Sequence, residues 1–82
     1  MIININNIEG QVIRIGNCDI FLTVDRDMFL MLNNQLIPAN WELETQIIIE
    51  IRDSKRLMAK KDQLIFENWL IDGFVSVFIN HD

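Results

Sequence analysis

The sequence Thr45-Gln46-Ile47-Ile48-Ile49-Glu50-Ile51-Arg52 places four isoleucines within five positions. β-Branched side chains lose rotamer freedom in a helix and fit well on a pleated sheet, so this run predicts a β-strand. Side chains alternate along a strand, which gives one face of Ile47, Ile49 and Ile51 and an opposite face of Gln46, Ile48, Glu50 and Arg52. We expect this strand near the sheet centre, with a helix on its all-isoleucine face and Ile48 covered either by this chain or by a second one.

The chain before this run alternates apolar and polar residues, as half-buried antiparallel strands do. The signals that break the alternation are Gly10, the pair Gly16 and Asn17, the polar segment 25–27, the pair Asn33 and Asn34, and Pro38, which lacks a backbone donor. The strands predicted between these signals are residues 3–5, 11–15, 18–24, 28–32 and 35–37, and one face of the third carries Ile20, Leu22 and Val24.

The segment after Arg52 is rich in good helix formers, which predicts a helix near residues 54–71. Gly73 follows at the position where a helix-ending glycine is common. The alternative is a hairpin of residues 64–71 and 74–79, because Asp72 and Gly73 between them are a strong turn signal. In both interpretations residues 74–79 form the last strand.

These elements predict an α+β fold, in which a mainly antiparallel β-sheet of about five to six strands carries one helix near 54–71 on one face. An all-β small barrel or sandwich is the alternative. Half of the 82 residues are apolar and 23% are charged, which is a globular balance. We therefore expect residues 1–82 to form a single compact domain.

The cellular compartment is indicated by the cysteine count and by the start of the chain. Cys18 is the single cysteine, so it has no internal disulfide partner, and a reducing compartment is favoured. The first residues lack the basic and apolar regions of a signal peptide. No run reaches the roughly 18 apolar residues of a membrane helix. We expect a cytoplasmic protein with no membrane partner.

The charge is acidic and unevenly distributed. Twelve acidic and seven basic residues give a net charge of −5, and five of the seven cations lie in residues 52–61. A net anion is repelled by phosphate backbones, and no aromatic residue is interleaved with these cations, so nucleic acid is an unlikely partner. These cations form either a solvated helix face or a basic patch that contacts phosphate, RNA or an acidic partner. The residues of this candidate patch are Arg52, Lys55, Arg56, Lys60 and Lys61.

Three residue groups were candidates for chemistry, and each has a simpler structural interpretation. Cys18 and His81 are the only possible thiol–imidazole pair, but they lie beside a predicted turn and at the penultimate position. Asp19, Asp25 and Asp27 lack the glycine and distant glutamate of a calcium loop. The alternate spacing of three glutamates marks a solvent-facing edge rather than an acid–base pair: Glu42, Glu44 and Glu50. No catalytic residue, metal site or cofactor is expected.

The two tryptophans are either core residues or interface anchors, because large aromatic rings dominate binding energy when a partner buries them. The chain also has more apolar residues than one sheet and one helix can cover, namely Ile48, Phe21, Phe29, Met31, Phe66 and Leu70. Excess apolar surface indicates association, and a homodimer through an edge strand or sheet face is the commonest form. The candidate interface residues are Ile48, Trp41, Trp69, Glu42, Glu44 and Glu50.

The sequence therefore favours a small, acidic, non-enzymatic protein-binding module with a protein partner. Its acidity suggests a basic partner, as for an inhibitor or immunity-type protein that blocks a cationic effector. The alternative is a regulatory protein that contacts nucleic acid through the basic segment 52–61. An enzyme is disfavoured because no nucleophile, base and oxyanion donor can be assembled from these residues.

Overall fold

A computed structural model describes residues 2–72 of the chain. Five antiparallel strands follow one another in the order β1-β2-β3-β4-β5 and form a curled half-barrel sheet. The helices come after the sheet in sequence. The elements are β1 (Ile3–Ile5), β2 (Ile8–Ile15), β3 (Cys18–Thr23), β4 (Met28–Leu32), β5 (Gln35–Pro38), α1 (Trp41–Ser54), a 3₁₀ turn (Lys55–Leu57) and α2 (Lys60–Asp72).

The hairpin turns are built mainly from asparagines. Asn33 and Asn34 have φ of 51° and 63°, as both central residues of a type I′ turn require, and they confirm the turn predicted there. Gly16 has φ of 57° in the predicted two-residue turn between β2 and β3. A further turn at Asn6 and Asn7, also at positive φ, joins β1 to β2 and was not predicted.

The predicted break at Gly10 is wrong, because Gly10 lies inside β2 and pairs with Ile3 and Thr23. Glycine is needed there for the close approach of β2 and β3 rather than for a turn. A Cβ atom at Gly10 would lie 2.3 Å from the backbone oxygen of Leu22, so the two strands approach too closely for any other residue. The strand predicted over residues 35–37 is confirmed as β5, which ends at Pro38 and includes that residue opposite Phe29.

The isoleucine run that predicted a strand is helical, and this part of the prediction is wrong. Residues 45–52 lie inside α1. Asn40 caps the helix, with its Oδ1 accepting a hydrogen bond from the backbone N–H of Leu43 at 2.9 Å. Leu43, Ile47 and Ile51 recur at intervals of four and face the core, whereas Ile49 is 53% exposed. The predicted face of Ile47, Ile49 and Ile51 therefore does not exist.

The second half of the predicted helix near 54–71 is confirmed as α2, but the first half is not continuous with it. A 3₁₀ turn covers residues 55–57, and Met58 has an extended backbone, which separates α1 from α2. The alternative hairpin is wrong because residues 64–71 are helical. The strand predicted at 74–79 and the helix end predicted at Gly73 lie outside the described residues.

The α+β class is thus confirmed, while the count of one helix is wrong and the all-β alternative is excluded by α1 and α2. The core lies between one side of the sheet and the helices. Ile20 and Leu22 of β3 are buried on that side, with Val24 partly buried next to them, as predicted. The buried core residues are Ile13, Ile20, Leu22, Met28, Ile47, Ile51, Met58, Phe66 and Trp69.

The C-terminal end of α2 is joined to the turn between β3 and β4. Trp69 is 1% exposed, and its indole Nε1 donates a hydrogen bond to the backbone oxygen of Thr23 at 3.0 Å. Arg26 in this turn donates to the backbone oxygens of Leu70 and Ile71 at 2.9 and 3.3 Å. Its guanidinium carbon also lies 5.7 Å from the centre of the Trp69 ring. A cation at a helix C-terminus is favourable because the aligned peptide dipoles leave that end negative.

Candidate functional site on the first helix

The N-terminus of α1 fixes the position of Trp41, the most exposed aromatic residue among residues 2–72. Asn40 has an extended backbone and caps the helix, so Trp41 is the first helical residue. Glu42 and Glu44 lie in the first turn, where negative charge complements the helix dipole. The Thr45 hydroxyl donates to the backbone oxygen of Trp41 at 2.7 Å. The Asn40 cap and the Thr45 hydroxyl therefore both make hydrogen bonds to the backbone of the first turn, and these bonds fix the backbone position of Trp41.

Successive residues of a helix are rotated by about 100°, which gives α1 an inner and an outer face. The inner face carries Leu43, Ile47 and Ile51. On the opposite side, Trp41 is 75% exposed and Ile49 is 53% exposed, two helical turns apart. We define the α1 outer face as Trp41, Glu42, Thr45, Ile49, Arg52 and Asp53.

Polar groups surround the two apolar side chains of the α1 outer face. Glu42 and Asp53 contribute two carboxylates against the single guanidinium of Arg52. Glu44 and Ile48 lie on one flank of the helix, both half-buried, and Ile48 packs partly against the core. Tryptophan is enriched at protein interfaces, so the exposed indole, and not the acidic groups around it, is the feature typical of a binding surface.

Two of the predicted interface residues are therefore placed together, and one is withdrawn. Trp41 and Glu42 share the α1 outer face, and Glu44 and Glu50 lie on its two flanks. Trp69 lies in the core and is not available to a partner in this structure. Ile49 was missed, because a strand would have turned it inward.

The apolar residues from which association was inferred are largely covered within the chain itself. Phe21 and Phe66 are 0% and 1% exposed, and the other four residues of that set are half-buried. The exposed large apolar side chains on the helical part of the chain are instead Trp41, Ile49, Leu57, Leu64 and Ile71. Among residues 2–72 the strands add three less exposed apolar side chains, Ile3, Leu32 and Ile37.

The basic segment is divided among three elements and does not form one helix face. Arg56 and Lys60 were expected one helical turn apart, but the extended residue Met58 separates them. Lys55 forms an ion pair with Glu67 of α2, so part of its charge is compensated. Arg52, Arg56, Lys60 and Lys61 are exposed.

The residues considered for chemistry are not brought together. Asp19 pairs with Arg14 across the β2–β3 hairpin at 3.1 Å, and Asp25 and Asp27 are exposed in the next turn. Cys18 is an exposed free thiol at the start of β3, and His81 lies outside the described residues. Within residues 2–72, no group of three or more His, Cys, Asp or Glu side chains is placed to hold a metal ion.

An apolar cleft of about 170 Å³ lies between α1 and the sheet, next to the α1 outer face. Its walls come from the ends of β2 and β3, from β4, and from the inner side of α1. Glu50 and Cys18 belong to this lining and are exposed, so a carboxylate and a thiol lie beside a cleft whose other lining residues are apolar. We call this feature the α1 cleft; its lining residues are Ile15, Cys18, Ile20, Leu30, Leu43, Ile47 and Glu50.

Comparison of the chain with protein-family models, with curated proteins and with solved structures finds no match. Neither α1 nor α2 is long and apolar enough to cross a membrane, and no other helix of residues 2–72 is either.

Proposed function

We propose that this protein is a non-enzymatic binding module that docks a basic protein partner on the α1 outer face. The observation that carries the proposal is the position of Trp41, which is 75% exposed on a capped helix end and adjacent to Glu42. Folding alone gains little from an indole left in water, whereas a partner that buries it gains most of its apolar area. Such binding would make the protein an inhibitor or immunity-type protein that blocks a basic partner.

The energetics favour a partner over a purely structural role for this face. Tryptophan is among the residues enriched at interface hot spots, where truncation to alanine costs about 2 kcal/mol or more. Ile49 lies two helical turns from Trp41 and extends the apolar strip along α1. The net charge of −5 attracts cationic surfaces over several ångströms and raises the rate of encounter.

A second copy of this chain is the less favourable occupant of the same face. A two-fold antiparallel contact through α1 would bring Glu42 near Asp53 of the second copy, with one arginine per chain to compensate these carboxylates. A cationic partner meets no such repulsion. Sedimentation at micromolar concentration distinguishes the two occupants, since a dimer that is lost on Trp41→Ala would assign the face to self-association.

The direct test is affinity capture from an extract of the native cells, followed by titration of the purified partner. We expect Trp41→Ala to weaken the complex at least about 30-fold, which corresponds to about 2 kcal/mol. Glu42→Lys should weaken it further and reduce its dependence on salt. Because Trp41 is mostly exposed, the free energy of unfolding should change by no more than about 0.5 kcal/mol.

The matched control is Leu64→Ala, which removes an apolar side chain that is 60% exposed on α2. Its affinity for the partner should equal that of the native protein. A second control, the double variant Lys60→Glu and Lys61→Glu, should also bind normally. Equal affinities for the Trp41 and Leu64 variants would contradict the proposal, and loss of binding only in the lysine variant would transfer the function to the basic segment.

A further inference from the structure

The α1 cleft has the size of one side chain. Its volume is about 170 Å³, and an apolar protein cavity of about 150 Å³ is enough to hold a benzene molecule. Its floor includes Ile20, which is 2% exposed, and Ile47, which is 8% exposed. Ile15, Leu30 and Leu43 are half-buried around them, so the floor is apolar and the rim is within reach of solvent.

The opening of the cleft carries two different functional groups. Cys18 lies on the sheet side and Glu50 on the helix side, and both residues are exposed. Glu50 takes part in neither of the two ion pairs found within residues 2–72, whereas Asp19 on the neighbouring hairpin is paired with Arg14. The carboxylate of Glu50 is thus a negative charge beside an apolar opening and without a described counter-ion.

We propose that the α1 cleft receives an aromatic or branched apolar side chain of the partner that stands next to a lysine or arginine. The apolar group fills the cleft, and the adjacent cation pairs with Glu50. This inference rests on the proposed function and deepens it, because it names the local feature that the basic partner presents. The cleft and the α1 outer face lie on adjacent sides of one helix, so one partner surface can contact both.

The first test uses two small probes of nearly equal shape and opposite charge, phenethylammonium and 3-phenylpropionate. Cys18 is the single cysteine of the chain, so its rate of alkylation by neutral iodoacetamide reports on the cleft opening. Millimolar phenethylammonium should slow alkylation at least threefold. The concentration of 3-phenylpropionate needed for the same protection should be at least about fivefold higher, because a like charge approaches Glu50.

Glu50→Gln supplies the charge control. The protection ratio of each variant is taken against its own rate without probe, which removes any effect of the substitution on the thiol itself. The two probes should protect Cys18 equally in this variant. The inference would be overturned if phenethylammonium failed to protect Cys18 in the native protein, or if both probes protected it equally there.

A cleft-filling variant separates this inference from the proposed function. Leu43→Phe adds a ring at the half-buried wall, and Ile15→Phe does so from the opposite wall if the first variant does not fold. Either variant should abolish the protection of Cys18 by phenethylammonium and lower the affinity for the partner at least tenfold. If the filled variant binds the partner normally while Trp41→Ala does not, the α1 outer face is the docking site and the cleft inference is wrong. If the probes bind but Trp41→Ala has no effect on the partner, the proposed function fails instead.

Discussion

At the scale of single residues, Gly10 shows how a close backbone approach limits the sequence. Gly10 lies in β2 between Ile3 of β1 and Thr23 of β3, in the part of the sheet shared by three strands. An added Cβ would meet the Leu22 oxygen at 2.3 Å and the Thr23 Cα at 2.9 Å. Both atoms belong to the backbone, so a rotamer change cannot relieve the contact.

We therefore predict that Gly10→Ala destabilises the protein by about 3 kcal/mol, at the upper end of the usual cost of overpacking. Gly16→Ala is the matched control, because Gly16 has φ of 57° but no atom within 4 Å of its added Cβ. That variant should lose only about 1 kcal/mol, the cost of a left-handed backbone for alanine. Urea denaturation of both variants checks the difference, and equal losses would show that the close approach at Gly10 is absent.

At the scale of the elements, α1 is determined by its start and its periodicity rather than by its β-branched residues. Isoleucine is less favourable than alanine in a helix by no more than about 0.7 kcal/mol per residue. Full burial of one isoleucine side chain contributes about 1.5 to 3 kcal/mol. Ile47 and Ile51 are both buried in α1, so their packing outweighs the propensity of the whole run.

The cap at Asn40 gives this element its own test. Asn40→Ala removes the acceptor for the Leu43 N–H and should destabilise the protein by about 1 kcal/mol. Asn40→Asp keeps an acceptor and adds a charge that suits the helix dipole, so its stability should stay within a few tenths of a kcal/mol of the native value. Urea denaturation followed by circular dichroism measures both variants. Equal stabilities of the two would contradict a helix start at Trp41.

At the scale of the whole molecule, the contact between α2 and the β3–β4 turn joins the C-terminal end of the described residues to the sheet. Arg26 and Trp69 are 43 residues apart in sequence, yet the guanidinium lies 5.7 Å from the ring centre and Arg26 binds two helix carbonyls. The indole in turn donates to Thr23 of the same turn. This set of contacts fixes the C-terminal end of α2 against the sheet.

We predict that Arg26→Met destabilises the protein by about 1 to 2 kcal/mol, the sum of a favourable helix-end cation and a cation–π contact. Methionine keeps the aliphatic part of the side chain, so the loss reports the guanidinium. Amide hydrogen exchange should also become faster in the last turn of α2. Arg52→Met is the control, since Arg52 is an exposed cation in the last turn of α1 with neither the carbonyl hydrogen bonds nor the indole contact of Arg26. Its loss should stay at about 0.3 kcal/mol, and a similar loss in both variants would contradict the role of Arg26.

The candidate site could be predicted only in part, because its residues depend on which helix faces the sheet. Trp41 and Glu42 were singled out from their chemistry alone, and both lie on the α1 outer face. Ile49 was assigned to the wrong side, because residues two apart share one face of a strand but lie on opposite sides of a helix. The signal that would have corrected this was Asn40 followed by two acidic residues, which is a helix start.

What the sequence determined by itself was the local structure of the sheet. The turns at Gly16 and at Asn33 and the end at Pro38 follow from φ values and donors that belong to those residues alone. What only the tertiary structure decided was the helical state of the isoleucine run and the fate of the two tryptophans. Trp69 is buried against Thr23 and Trp41 is left in solvent. Burial depends on which surfaces the completed sheet offers to the helices, and that information is distributed over the whole chain.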